Sequence, residues 1–434
     1  MGLRGVVAVV RTGCLVRCVQ GDSNEGRPGS GETLPGAAER AHGHGNFCRV
    51  CRCKALEGAV RGIVFFGPVY GGSGYAEDNL DLVLELDRRG IPVQVMPYGA
   101  SSDTAGLLDP DVRARLEALV ACRLNLCESL LVQSVPAGAF LNDMRGRMTI
   151  GRTTFETDRL PTGWVERCNE LDEVWVPSEF NRRTFQQSGV EAHRLHVMPE
   201  GVDTRLFRPG WPPLPLAGRR GFNFLSIFDW QDRKGPEILL DAYVSEFRAD
   251  EDVALLLKVT THNRPGLDVD ALVLELLEGH MGRRLEQVPP IVLVSGMIPR
   301  RELPRLYAAA DAFVLPTRGE GWGRPLAEAL ACELPVIATA WGGQMDFLHE
   351  GNSFLIAVER LVPVSPRVDL EIFAGHRWAE PSRDHLRQLL RTVYTQRAEA
   401  RERARRGRAE MVERWDTRRV AAQLADALLS RLAT

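Results

Sequence analysis

Glu320 and Glu328, separated by seven residues, frame a stretch suited to holding an anion together with hydroxyl groups. Between them Gly321 and Gly323 allow a backbone to approach a ligand closely, and Pro325 stands where a helix takes its first residue. The amides opening such a helix have no intrahelical partner and carry the positive end of its dipole, so a phosphate suits them. Two carboxylates next to a phosphate require a neutral partner, which the hydroxyls of a sugar or ribose supply. Glu328, expected in the first helical turn, leans back toward the loop and reaches the ligand that Glu320 touches. The same spacing by itself also describes an acidic, solvent-facing helix start. A second charged group, Arg233 and Lys234, follows the apolar run 222–227. At the carboxyl end of a parallel strand these cations are placed to neutralise a diphosphate; the plainer alternative is an exposed basic pair.

The elements that must position these residues alternate between short apolar runs and helical spacing. Strands are expected over 62–66, 93–96, 129–133, 148–155, 174–176 and 195–198, with helical patterns from Leu80 to Leu86 and over 164–171. After the Pro-rich 209–215 a second series starts: strand 222–227, helix 238–247, strand 254–259, helix 271–277, strand 291–294, helix 303–309 and a strand entering the Glu320 loop. Strands spaced by helices predict parallel sheets, so the chain reads as α/β with two Rossmann-like domains. The boundaries are a leader over 1–59, a first domain over 60–212, a second over 213–400 and a returning helix over 401–434.

Composition is consistent with that reading. Of 434 residues, 44% are hydrophobic, enough for two cores. The 54 Lys and Arg nearly balance the 57 Asp and Glu, and a net charge of −3 offers no basic field for nucleic acid. No apolar run reaches the roughly 18 residues of a spanning helix, which reads as a soluble or at most peripheral protein, and the four Cys scattered through the body, Cys122, Cys127, Cys168 and Cys332, read as those of a reducing, cytoplasmic compartment. Five of the nine Cys fall in the leader, where Cys48, Cys51 and Cys53 with His42 and His44 have the elements of a zinc site. The Gly- and Ser-rich leader otherwise reads as disordered or as a targeting peptide. Gly72-x-Gly74-x-x-Glu77 has the outline of a dinucleotide fingerprint, with Glu77 where a small residue belongs.

The run from Pro316 through Pro335-Val-Ile to Gly342-Gly343 resembles the retaining family-4 glycosyltransferases of the GT-B type, and Gly201, Val202, Asp203, Phe207 and Pro209 resemble that family's domain junction. The resemblance covers roughly residues 61–430 and implies two facing domains, a C-terminal crossover helix, a nucleotide-diphosphate sugar donor on the second domain and an acceptor, not identified, on the first. It also implies transfer with retention, without cofactor or metal. Carried over, Glu320 with the Gly321, Trp322 and Gly323 backbone holds the donor sugar, Glu328 the ribose, Lys234 with Arg233 the diphosphate, Met297 and Ile298 the base, and Gly72 and Ser73 line the cleft. Three positions depart from the pattern: Phe228 replaces an Arg, Glu333 a small residue, and no His lies between His44 and His193 where many members have one near the donor sugar. Glu156, with Asp158 orienting Arg159, is expected to do that work; a salt-bridged loop supporting Trp164 is the alternative. Two other functions stay open: a nucleotide-sugar-binding scaffold without turnover, and a metal-dependent D-x-D transferase using Asp268 and Asp270 or Asp109 and Asp111, pairs that also read as helix N-caps.

Overall fold

The computed structural model describes residues 61–71, 74–99, 108–261, 266–296, 298–365 and 371–433, with two short strands of the leader, Gly5–Val7 and Val16–Gln20. The Cys and His cluster at 42–53 lies outside the described residues.

Two sheets form the framework. The first has six parallel strands in the order Val93–Pro97, Ile63–Gly67, Leu130–Ser134, Met148–Arg152, Glu173–Val176, Leu195–Val197. The second has a parallel run of Ile291–Val294, Val253–Thr260, Phe222–Asp229, Ala312–Leu315, Val336–Thr339 and Phe354–Ile356. Both faces are covered, which is why these strands are continuous apolar runs and not alternating ones. In the second sheet the strand order reverses beside Phe222–Asp229, with Val253–Thr260 on one side and Ala312–Leu315 on the other. The loops leaving this switch point carry Lys234 and Glu320.

Four boundaries differ from expectation. The leader, expected to be disordered, contributes Val16–Gln20 beside Ile291–Val294 and Gly5–Val7 beyond it, because Ile291–Val294 otherwise ends the parallel run with an open row of backbone donors and acceptors. The strand expected to run to Phe155 ends at Arg152: Thr153 N–H still donates to Trp175 O of the neighbouring strand, but the Thr154 and Phe155 amides turn to Tyr75 Oη and Asn181 Oδ1, outside the ladder. The returning helix starts at Thr417, not at 401. Helix Arg397–Arg414 stays on the second domain, where Gly407 lies against Leu330 and a Cβ would meet its Cδ2 methyl at 2.5 Å. Helix Thr417–Ala433 then buries Val420, Leu424 and Leu428 in the first domain's core beside Val83 and Leu86. Finally, Gly323 caps helix Arg324–Ala331, so Pro325 is its second residue and Glu328 falls in its second turn.

The chain passes between the domains twice, and the passages pair. Val202 N–H donates to Trp415 O at 2.9 Å and Thr417 N–H to Val202 O at 2.9 Å, a single parallel bridge between the two crossings. One further element was absent from the sequence reading. Val358–Pro363 and Arg377–Pro381 form an antiparallel pair that leaves the second sheet and lays Val364, Phe373 and Trp378 into a core cluster with Phe155 and Trp164 of the first domain. Among the described residues no helix is long and apolar enough to cross a membrane.

Candidate active site

The turn after Phe222–Asp229 and the loop after Ala312–Leu315 are knitted together by their backbones. Arg318 N–H donates to Arg233 O at 2.7 Å, and the Arg233 guanidinium donates to Gly319 O at 2.7 Å. Gly235, at φ 65° in the left-handed region, lets the turn pass under the Pro316 carbonyl before helix Pro236–Glu246 begins. The result brings Arg233, Lys234 and Glu320 into contact. Lys234 Nζ donates to Glu320 Oε1 at 2.6 Å, Arg233 Nη1 lies 3.2 Å from Glu320 Oε2, and the Thr317 hydroxyl is 2.9 Å from Oε1. All three charged side chains are buried.

Glu156 reaches this cluster from the first domain, with Oε1 3.5 Å from Arg233 Nη2. The four groups therefore balance at two positive and two negative charges. Burial pushes the Glu320 carboxyl up, but Lys234 and Arg233 together outweigh it and hold the group below the usual carboxylate range. Burial pushes the Glu156 carboxyl up, and although Arg233 opposes this, Glu320 adds to it, so Glu156 stays above that range. Burial and the neighbouring Arg233 lower Lys234. A cluster of this kind, with carboxyls held apart in opposite directions beside two cations, is the electrostatic pattern of a functional site.

Backbone approaches close the cleft here. A Cβ on Gly319 would overlap the Glu156 carbonyl oxygen, and one on Gly321 would overlap the Thr154 hydroxyl. Ser178 Oγ donates to Gly321 O at 2.9 Å, and Glu179 N–H to Asp346 at 2.9 Å. Gly321 is thus required by the opposite domain as much as by any ligand.

The remaining expected residues fall in three places. Glu328 accepts from Tyr307 Oη at 2.7 Å; burial raises its carboxyl, with Arg324 and the tyrosine opposing. It faces Tyr307, whereas Glu320 faces the Lys234 turn. Trp322 buries its indole against Phe347 and Trp415, which leaves only its backbone for a ligand. Ile298 packs on the second core, beside a turn held by Lys258 Nζ donating to Gly296 O at 2.7 Å. Gly72, Ser73 and Met297 lie outside the described residues. Asp158 accepts from Arg159 at 3.2 Å and from the Arg377 amide at 2.7 Å. Phe228 is a core residue packed on Trp230, and of the two side chains only the Arg233 guanidinium is in the cluster. Asp268 caps its helix by accepting from Ala271 N–H at 3.1 Å, while Asp109 pairs with Arg301 at 3.0 Å and makes no cap bond.

A second interdomain network was not read from the sequence. Arg300 binds Asp81 through two bonds of 2.9 Å and Glu77 at 2.8 Å; Arg324 extends toward Glu200 at 3.8 Å and Asp78 and Asp81 at 3.9 Å; Arg152 pairs with Asp78. Burial, with Asp78 beside it, pushes Glu200 up to about 8. The acidic spacing Glu77, Asp78, Asp81 within one helix was the available signal. Two cavities beside this network hold only about 10 and 20 Å³, little more than a water.

Residues 219–363 match the family of glycosyl transferases group 1. D-inositol 3-phosphate glycosyltransferase 1 of Catenulispora acidiphila is 34% identical over 173 residues, which are 38% of this chain and 40% of that protein. A GDP-mannose-dependent alpha-(1-6)-phosphatidylinositol monomannoside mannosyltransferase of Mycolicibacterium smegmatis is 27% identical over 273 residues, 58% of this chain and 68% of that one. The match to the first of these thus spans about two fifths of its length. The solved structure of Anabaena HepE with UDP and glucose aligns with a TM-score of 0.58 and 18% identity over 86% of this chain and all of that one. Sucrose-phosphate synthase of Thermosynechococcus elongatus gives a TM-score of 0.58 at 16% identity with the same coverage. The fold is the GT-B architecture expected from the sequence.

Proposed function

We propose that this chain, whose residues 219–363 belong to the glycosyl transferases group 1 family, transfers a sugar from a nucleotide-diphosphate donor to an acceptor hydroxyl with retention of configuration and without a metal. The observation that carries the reading is the buried, charge-balanced cluster of Arg233, Lys234, Glu320 and Glu156 at the switch point of the second sheet. Names of relatives and neighbours mention GDP-mannose, UDP and UDP-glucose, in keeping with a donor of this class.

A donor diphosphate draws Lys234 and Arg233 toward its oxygens, and their charge stabilises the leaving group as the glycosidic bond breaks. Two fixed cations do here what a divalent ion does in D-x-D enzymes. Glu320, released from Lys234, accepts from the donor sugar's hydroxyls, with the Gly321 to Gly323 backbone around the sugar. Glu328 turns from Tyr307 to the ribose, and Ile298 flanks the base. Glu156 hydrogen-bonds the sugar or the acceptor hydroxyl from the other side. Gly319 against the Glu156 carbonyl and Gly321 against the Thr154 hydroxyl leave no room for a sugar between the domains beside Glu320, so binding there requires the domains to part, with the paired crossings near Val202 and Thr417 as the hinge, and to close again.

A thermal-shift screen of nucleotide sugars, followed by chromatography of the nucleoside diphosphate released, tests this. At least one donor should raise the melting temperature and be consumed. A donor that binds without turnover would leave only a binding scaffold, and no shift with any donor would refute the reading.

A further inference from the structure

We infer that His376 is a positioning residue for sugar transfer, holding Glu156 against Arg233 through Thr157. The inference rests on the proposed role of Glu156.

His376 stands on the excursion between Val358–Pro363 and Arg377–Pro381, a part of the second domain that grips the first. His376 Nδ1 lies 2.8 Å from the Thr157 hydroxyl; Asp158 N–H donates to Arg377 O at 3.0 Å, and Arg377 N–H donates back to Asp158 Oδ1 at 2.7 Å. Phe155, the other neighbour of Glu156, has its ring 5.3 Å from Phe373 and 5.7 Å from the His376 imidazole. Both residues flanking Glu156 are therefore held from behind by the excursion. The same excursion also supports the other half of the contact. Ala379 N–H donates to Arg318 O at 3.1 Å, Arg318 pairs with Glu380 at 3.0 Å, and Arg318 N–H donates to the carbonyl of Arg233. One element thus backs both partners of the Glu156–Arg233 pair, which come from different domains.

The Thr157–His376 bond is the buried polar link in this arrangement. Thr157 is fully buried and His376 nearly so. The Thr157 hydroxyl has one proton, which it donates to Arg159 O at 3.0 Å, so the bond to His376 uses Nδ1–H as donor and the threonine oxygen as acceptor. Asn at 376 places an amide N–H near the Nδ1 position, whereas Leu fills similar space with no donor. Burial, the largest influence, keeps the imidazole below its ordinary range, so it is neutral at pH 7 and adds no charge behind Glu156.

The test compares His376→Leu, His376→Asn, Thr157→Val and Glu156→Gln for turnover of the donor found by screening, for its dissociation constant and for melting temperature. Leu at 376 and Val at 157 should each lower kcat by about 10- to 100-fold, since a displacement on the order of 1 Å has that effect on a reacting group. Donor affinity should change less than about threefold, a split that loss of packing alone does not produce. His376→Asn should recover most of the loss, and the double Thr157→Val/His376→Leu variant should be no worse than the poorer single one. If His376→Leu does not fold, Thr157→Val decides the question from the other side of the bond. Full turnover in Thr157→Val, or an Asn variant as poor as Leu, overturns the inference. Wild-type turnover in Glu156→Gln overturns instead the role of Glu156 on which it rests.

Discussion

Glu156→Gln removes one negative charge from the four-charge cluster while keeping the side chain's size. At 3.5 Å the attraction between Glu156 and Arg233 is about 5 kcal/mol before desolvation, taking an effective dielectric of roughly 20. Burial and the like charge of Glu320 nevertheless win, because the Glu156 carboxyl is held above the usual range. A carboxyl raised in the folded state contributes stability that is fully present below its unfolded value and is lost as pH rises through its folded value. The Glu156 contribution is therefore lost in wild type as pH rises out of the carboxylate range, and the Gln variant does not lose it. Glu156→Gln should melt at or above the wild-type temperature at pH 7, with the difference shrinking as pH falls toward the carboxylate range. Its kcat should fall by about 10²- to 10⁴-fold if the carboxyl handles a proton or a sugar hydroxyl in the transition state, with nucleotide affinity little changed. Melting curves from pH 4 to 8 and steady-state turnover supply the two measurements. A variant that melts several degrees lower and keeps its turnover would make the segment a structural loop and refute the reasoning.

Glu333→Gly should stabilise the protein by about 1 kcal/mol, since Glu333 is the one non-glycine residue at positive φ among those described, at 61°, where glycine avoids the steric cost; chemical denaturation checks this. Glu328→Gln should weaken nucleoside diphosphate binding by on the order of 1.5–3 kcal/mol in calorimetry, and unchanged affinity would remove the ribose role. EDTA should leave turnover intact; a loss restored by manganese would favour D-x-D chemistry.

The parallel sheets were legible because doubly covered strands are continuous apolar runs, and the Lys234 and Glu320 loops because charged and glycine residues interrupt those runs at strand ends. Where legibility failed, the cause was long-range contact. Whether Glu156 faces Arg233 depends on how two domains meet, and no local spacing encodes that. The excursion carrying His376 has short, partly exposed strands, and its residues Val364, Phe373 and Trp378, two of them outside the strands, belong to the other domain's core, so its pattern fits neither a helix nor a sheet interior. Glu333 illustrates a different limit. Leu334 N–H to Ala329 O at 3.0 Å and Glu333 N–H to Leu330 O at 2.9 Å end the helix in a Schellman turn. The chain makes this turn without the glycine that would have announced it.

The most direct test of the proposed site is Lys234→Ala, with kcat for donor turnover and the donor dissociation constant measured on the same preparation. If the ammonium acts mainly on the departing diphosphate, kcat should fall by about 10²- to 10³-fold while affinity changes several-fold at most. Equal losses in both would make Lys234 a ground-state binding residue, and undiminished turnover would contradict the placement of the transfer site at the Lys234 and Glu320 pair.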